Sequence, residues 1–343
     1  MSLLQLIKDK YRIVSIIGMS KNSGKTVTLN RLIQEAMEEG IPVGMTSIGR
    51  DGESVDKVSE TEKPRIFVEE NTIIATTTAL LEMGDASIEI LKVTPFTTPL
   101  GDVVIGRVKS PGYIEIAGPQ TLRDIRDVCD TMLSLGARFV IIDGAIDRKS
   151  SAAPAISEAT ILSTGAILSR DMNRVLEETI HTVGLLSLQQ VDKKYLEKAR
   201  ELIFQNKIAV IDLNGEIDEI PLDTALGKGY KIGEFLDEDS RALILPGSLV
   251  KGTLDDITRS TRSYKNIDIV VADGTKIFIT PKDYLLFKRI GISIKVVFPI
   301  NLIGVTVNPY SPSGYFFEPK TFLEKMKSYI KDIPVMDIML GGD

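Results

Sequence analysis

The chain has 343 residues, 43% hydrophobic and 26% charged, an ordinary globular composition with room for two domains or one large one. Its 47 acids against 41 bases leave a net charge of −6, which gives no electrostatic footprint for nucleic acid or an anionic membrane. No apolar run reaches the ~18 residues of a membrane-spanning helix, and a single cysteine, Cys129, excludes an internal disulfide framework and suits a reducing cytoplasm.

In chain order, residues 1–12 read as a short amphipathic helix and not as a signal peptide, because Lys8, Asp9, Lys10 and Arg12 follow directly on the apolar positions. The run 13–17 is apolar and strand-like. Gly18-Met19-Ser20-Lys21-Asn22-Ser23-Gly24-Lys25-Thr26 comes next, and 25–37 has helical spacing at Leu29, Leu32, Ile33 and Met37, stopped by Gly40-Ile41-Pro42. Strand, glycine turn ending in Gly-Lys-Thr, then helix is the context of a phosphate-binding loop. Backbone N–H groups of such a turn converge on one spot, and the helix dipole favours negative charge there. Ser20, Lys21, Asn22, Ser23, Gly24, Lys25, Thr26 and Val27 are the candidate nucleotide-binding residues. Lys25 is expected on the β- and γ-phosphates and Thr26 on Mg²⁺. The usual spacing would put the first glycine at position 19; that residue is Met19, and the glycine is Gly18.

A second strand is expected over 43–48, followed by Gly49-Arg50-Asp51-Gly52-Glu53. The stretch 64–118 reads as a β-rich insertion with strands at 65–68, 72–76, 87–92, 102–108 and 113–117, antiparallel and extending or flanking the main sheet. An amphipathic helix follows, with Leu122, Ile125, Val128, Met132 and Leu133 on one face, a capping box from Thr121 and Asp124, and Gly136 as its stop. Cys129 on that helix reads as a buried structural thiol. The apolar run 138–142 then delivers Asp143-Gly144, placing an acid at the carboxyl end of a buried parallel strand, where a nucleotide's metal is held. A further parallel strand is expected over 160–166.

His181 is the only histidine and sits mid-helix in 175–188, so a satisfied or solvated role is expected for it, and a zinc site is not. The charged helix near 190–206 marks a domain boundary. Beyond it, strands at 208–213, 242–245, 267–272, 292–297 and 303–307 alternate with helices, among them one after 253–256, one starting at Thr280-Pro281-Lys282-Asp283 and one over 321–330. This alternation implies a second α/β domain with a mainly parallel sheet. The turns Pro246-Gly247-Ser248 and Asp273-Gly274-Thr275 read as strand exits, and Asn308-Pro309-Tyr310-Ser311-Pro312-Ser313-Gly314-Tyr315 as a rigid connection or a recognition loop.

The glycine-loop spacing together with Asp143 resembles dethiobiotin synthetase and its relatives among the P-loop NTPases, the broad class of the nitrogenase iron protein and the septum-site ATPases. The resemblance covers about residues 10–170. It implies that Lys25 is the phosphate lysine, that Thr26 and Asp143 are metal-linked, and that the polar segment after the second strand meets phosphate, metal or substrate. The family's Lys-Pro after that strand is absent at the matching place; Lys63-Pro64 comes later. The strings 46–53, 143–148 and 307–309 are similar to the nucleotide-binding subunit of lysine aminomutase reactivating factors, which act on an adenosylcobalamin-dependent enzyme.

The expectation is an α/β chain: a P-loop NTPase domain over 1–190, with a mainly parallel sheet and the β-rich insertion, and a second α/β domain over 191–343 for ligand or partner sensing. The leading function is an ATPase switch or chaperone-like reactivating subunit. Lys25 would hold the β/γ-phosphates, Arg50 would stabilise transferred charge, and Asp51 or Glu53 would orient water or a second metal water. Mg²⁺ and ATP are the expected cofactors, with GTP disfavoured because Asn206-Lys207-Ile208-Ala209 lacks the Asp of a guanine reader. The expected partner is a protein, and the narrower resemblance implies a cobalamin-dependent enzyme complex; self-association stays open. Two alternatives stand: an ATP-dependent small-molecule ligase, and a binding module with little turnover. A glutaminase-linked ligase is excluded, since neither cysteine nor histidine follows His181.

Overall fold

The computed structural model describes residues 2–48, 66–144 and 156–338. The protein is α/β and forms two compact units, Met1–Thr179 with Asn301–Asp343, and Ile180–Ile300.

The first unit runs α1 (Leu3–Ile7), β1 (Ile13–Gly18), α2 (Lys25–Glu38), β2 (Val43–Ser47), β3 (Ile66–Val68), β4 (Ile73–Thr77), α3 (Thr78–Leu81), β5 (Ser87–Thr98), β6 (Gly101–Ser110), β7 (Gly112–Ile114), α4 (Leu122–Ser134), β8 (Phe139–Asp143), β9 (Ala159–Gly165) and α5 (Met172–Leu186, which crosses into the second unit). Among the described residues its main sheet has nine strands, and β9, β1, β8, β2 and β4 lie side by side in that order, all parallel. Every residue of β1 is buried, as a strand covered on both faces requires. Its side chains alternate between two cores: Val14 and Ile16 pack with Leu29, Leu32 and Ile33 of α2, while Ile13 packs with Val128, Cys129 and Met132 of α4. α1 is capped by Ser2 and buries Leu3, Leu4 and Ile7, and its Leu4 N–H donates to the buried Glu35 carboxylate of α2 at 2.8 Å. Met37, expected in the core, is 40% exposed.

The β-rich stretch departs from its expected pairing. β4 runs parallel to β2 and belongs to the main sheet, whereas β6 and β5 continue that sheet antiparallel, and β3 with β7 forms a separate ribbon. β5 runs on through Pro95 to Thr98, because it is the edge strand and its register breaks between Val93 and Thr97, where a missing N–H costs nothing.

The expected boundary at 190 needs correction. β17 (Leu302–Asn308), α10 (Pro319–Tyr329) and β18 (Val335–Asp337) belong to the first unit, where β17 pairs parallel to β9 and β18 parallel to β17. The second unit is therefore an insertion between β9 and β17. It contains α6 (Lys193–Phe204), β10 (Ile208–Asp212), β11 (Ile217–Ile220), α7 (Gly229–Glu234), β12 (Ser240–Leu245), β13 (Leu249–Val250), α8 (Lys251–Ser260), β14 (Asp268–Val271), β15 (Ile277–Phe278), α9 (Pro281–Arg289) and β16 (Ser293–Val296). Its five-stranded sheet is mixed: β12, β14 and β16 are parallel, and β10 is antiparallel to both β11 and β12. Residues 253–256 lie inside α8 and not before it, while α9 starts as expected with Thr280 as its cap and Pro281 in its first turn. No helix among the described residues is long and apolar enough to cross a membrane.

Candidate functional site

The 18–26 turn leaves the carboxyl end of β1, in the middle of the parallel strands, where open α/β sheets place their ligands. Two residues of it are left-handed, Asn22 at φ 63° and Gly24 at φ 96°, conformations that Asn and Gly adopt most readily. Gly24 is the N-cap of α2 and no side chain caps that helix, so its first-turn N–H groups stay available to an anion. The displaced glycine has its own reason. A Cβ at Gly18 would stand 2.6 Å from Ser23 Oγ and 3.2 Å from the Ser20 carbonyl, so the turn folds back onto Gly18 and not onto position 19. Met19 is half-buried and its N–H donates to the Ser163 carbonyl of β9 at 2.9 Å.

Lys25 and Asp143 come together as their spacing implies. The register Ile16↔Asp143 places the acid beside the end of β1. The Lys25 ammonium lies 2.9 Å from Asp143 Oδ1 and donates to the Gly144 carbonyl at 2.7 Å. The contact with Asp143 is an ion pair by distance without hydrogen-bond geometry, and Oδ1 is left buried with no hydrogen-bond partner. Ser23 Oγ, 1% exposed as a residue, is also buried and unpartnered. A buried hydroxyl left so costs about 1–3 kcal/mol unless a ligand or water meets it, whereas Asp143 Oδ1 already has the Lys25 ammonium beside it. Thr26 is the second residue of α2 and half-buried; Lys21 and Asn22 are exposed, Ser20 is half-buried, and Val27 faces out at 37% exposure. Arg50, Asp51 and Glu53 lie outside the described residues.

The structure adds a wall that the sequence reading assigned to the other domain. The segment after β17 is a small hairpin, with the Ser311 N–H donating to the Tyr315 carbonyl and the Phe317 N–H to the Pro309 carbonyl. It stands against the 18–26 turn: a Cβ on Gly24 would lie 2.8 Å from Asn308 Cβ, and one on Gly165 would lie 2.5 Å from the Asn308 carbonyl. The Tyr315 hydroxyl donates to the Ala166 carbonyl at 2.6 Å, and the Arg170 guanidinium sits 5.3 Å from the Tyr315 ring centroid. Tyr310 and Phe316 pair at 5.9 Å between centroids and stay 47% and 64% exposed. The apolar run ending in Asn308-Pro309 was visible in the sequence; its position needed the pairing of β17 with β9.

The other candidates take structural roles. Cys129 is fully buried, and burial pushes its thiol up to about 12. The His181 Nε2–H donates to the Ile279 carbonyl at 2.8 Å, and the ring meets Tyr284 edge-on. Asp273 is buried and caps its own turn, accepting from the Thr275 N–H and hydroxyl. The fold and this geometry define an α/β protein whose mostly parallel main sheet carries a glycine turn, a lysine and an acid at the carboxyl ends of its central strands. No protein-family model and no curated protein matches the chain.

Proposed function

We propose that this chain binds Mg²⁺–ATP at the 18–26 turn as a P-loop NTPase and uses it as a switch acting on a protein partner. The observation that carries the reading is the uncapped start of α2 directly behind a left-handed turn, with the Lys25–Asp143 ion pair beside it. The loop amides would hold the phosphates, and Lys25 would exchange its present partners for phosphate oxygens, where a charge-assisted contact is stronger. The Thr26 hydroxyl and Asp143 fit a magnesium ion, which when bound would neutralise charge on the phosphates. The 308–317 hairpin, close against Gly24, is suited to the nucleoside half, with exposed aromatic faces at Tyr310 and Phe316. Arg50, Asp51 and Glu53 keep their proposed roles in stabilising charge and orienting water.

The switch reading is supported by connectivity. The inserted unit leaves the first through α5 after β9 and returns into β17, and these two strands bear on the turn. The narrower resemblance points to a cobalamin-dependent aminomutase complex as partner. A ligase is the second reading, favoured by Thr46 and Thr77, whose buried unpartnered hydroxyls near the carboxyl ends of β2 and β4 would suit a small polar substrate. The test is to recover the tagged chain with whatever co-purifies and to measure phosphate release from ATP with and without it. Weak basal release that the partner stimulates, and that Lys25→Ala abolishes, is expected. Fast turnover by the isolated chain on a small metabolite, with no partner recovered, would promote the ligase.

A further inference from the structure

Three buried hydroxyls join the start of α2 to β9 and β17. Thr306 Oγ1 lies 2.8 Å from Ser163 Oγ and 2.8 Å from Thr28 Oγ1, and Thr28 lies 3.1 Å from Ser163 and 3.1 Å from the Gly24 carbonyl. All three residues are at most 2% exposed. With Thr306 donating to Ser163 and Ser163 to Thr28, the Thr28 proton is left for Gly24 or Thr306, so every donor is used. A fully satisfied polar ring fixes one arrangement, whereas an apolar contact would tolerate sliding.

The ring lies one step below the site. Thr306 and Asn308 are two apart on β17 and share a face, as do Ser163 and Gly165 on β9; Thr28 is one turn beyond Gly24 on α2. Four helical residues rise about 6 Å and two strand residues about 6.6 Å, so helix and strands meet in matched rungs. The lower rung is the hydroxyl ring. The upper rung is Gly24, Asn308 and Gly165, in close contact and with no room for a larger residue at either glycine. A slip of β17 by one residue would turn Thr306 and Asn308 to the opposite face of the sheet.

We propose that Thr28, Ser163 and Thr306 are positioning residues that set the 308–317 hairpin against the 18–26 turn, so that the nucleoside and phosphate halves of one ligand are gripped together. This rests on the nucleotide reading above. Loosening the ring weakens the contribution of the nucleoside and leaves phosphate binding intact, because Thr306 touches the ring and not the turn.

Calorimetry of Mg²⁺–ATP and of Mg²⁺–tripolyphosphate on the full chain separates the two halves. Thr306→Val, which keeps the volume, should weaken ATP about tenfold and change tripolyphosphate by less than about twofold. Thr306→Ser should restore ATP, and Lys25→Ala should lose both ligands. Should Thr306→Val fail to fold, Ser163→Ala removes a second member of the ring with β9 intact and should give the same split. An equal loss of both ligands, or no loss of either, in a folded variant overturns the positioning role while nucleotide binding stands. Wild type binding neither ligand overturns the nucleotide reading and the positioning role with it.

Discussion

A methyl group on Gly18 would meet the Ser23 hydroxyl oxygen at 2.6 Å, so that buried side chain or the turn itself must shift. Gly18→Ala is therefore expected to disturb the turn and weaken ATP about tenfold. Adding Ser23→Ala to it should recover part of the loss, because the nearest colliding atom is then gone while the Ser20 carbonyl at 3.2 Å remains. Calorimetry of the two single variants and the double variant checks this, and strictly additive losses would mean that Gly18 matters for another reason. Asp143 should matter through the metal more than through folding. Asp143→Asn should melt within a few degrees of wild type without nucleotide, yet lose most of the stabilisation that Mg²⁺–ATP adds. Equal ligand stabilisation in the variant would move the metal to another acid, with Asp51 first. At this scale the meeting of Lys25 and Asp143 was legible in the sequence, because a strand ending in an acid and a turn running into a helix bring such side chains to the same end of a parallel sheet. Asn308 was legible as a residue and not as a neighbour of Gly24.

α4 shows local rules and burial agreeing over most of one element, the exception being Leu122, expected on the inward face and 37% exposed. Thr121 accepts from the Asp124 N–H at 3.2 Å, one half of the expected capping box, and Gly136 at φ 111° follows the helix end as its spacing implied. Cys129 faces the sheet from that helix, and its thiol is pushed from 9.0 to about 12 by burial. A folded-state value above the unfolded one means that the folded protein holds the proton longer. Its contribution is full below pH 9.0 and is lost as pH rises toward about 12. Because the thiolate is the nucleophile, alkylation by iodoacetamide between pH 8 and pH 10 should be far slower than that of an exposed cysteine, scaled down by the fraction of molecules that open. A fast stoichiometric reaction of the native protein would contradict that burial. β5 is the opposite case: its local signal stopped near Lys92 and Pro95, and only pairing with β6 carries it to Thr98.

For the whole molecule, the inserted second unit makes a firm claim about which pieces fold together. A fragment of 1–190 lacks β17, which bonds to β9 from Leu302↔Thr160 to Asn308↔Gly165, and leaves the Thr28 and Ser163 hydroxyls without Thr306. It should aggregate or melt far below a chain in which 301–343 is joined to 1–179 through a long flexible linker. Circular dichroism of the two would settle it, and cooperative melting of 1–190 at the temperature of the linked chain would refute the assignment. The sequence by itself determined the α/β class, most of the longer strands and helices, the caps at Thr121 and Thr280, and the glycine–lysine–acid constellation near β1. These rest on periodicity, turn chemistry and spacing, which act over a few residues. Only the tertiary structure decided that the last strands return to the first sheet, that Gly18 answers to Ser23, and that Thr306 and Asn308 stand beside α2. Strand pairing is a contact between distant segments: β17 carries the same apolar alternation whichever sheet it joins, and its choice is made by the edge of β9 and by the hydroxyls waiting there.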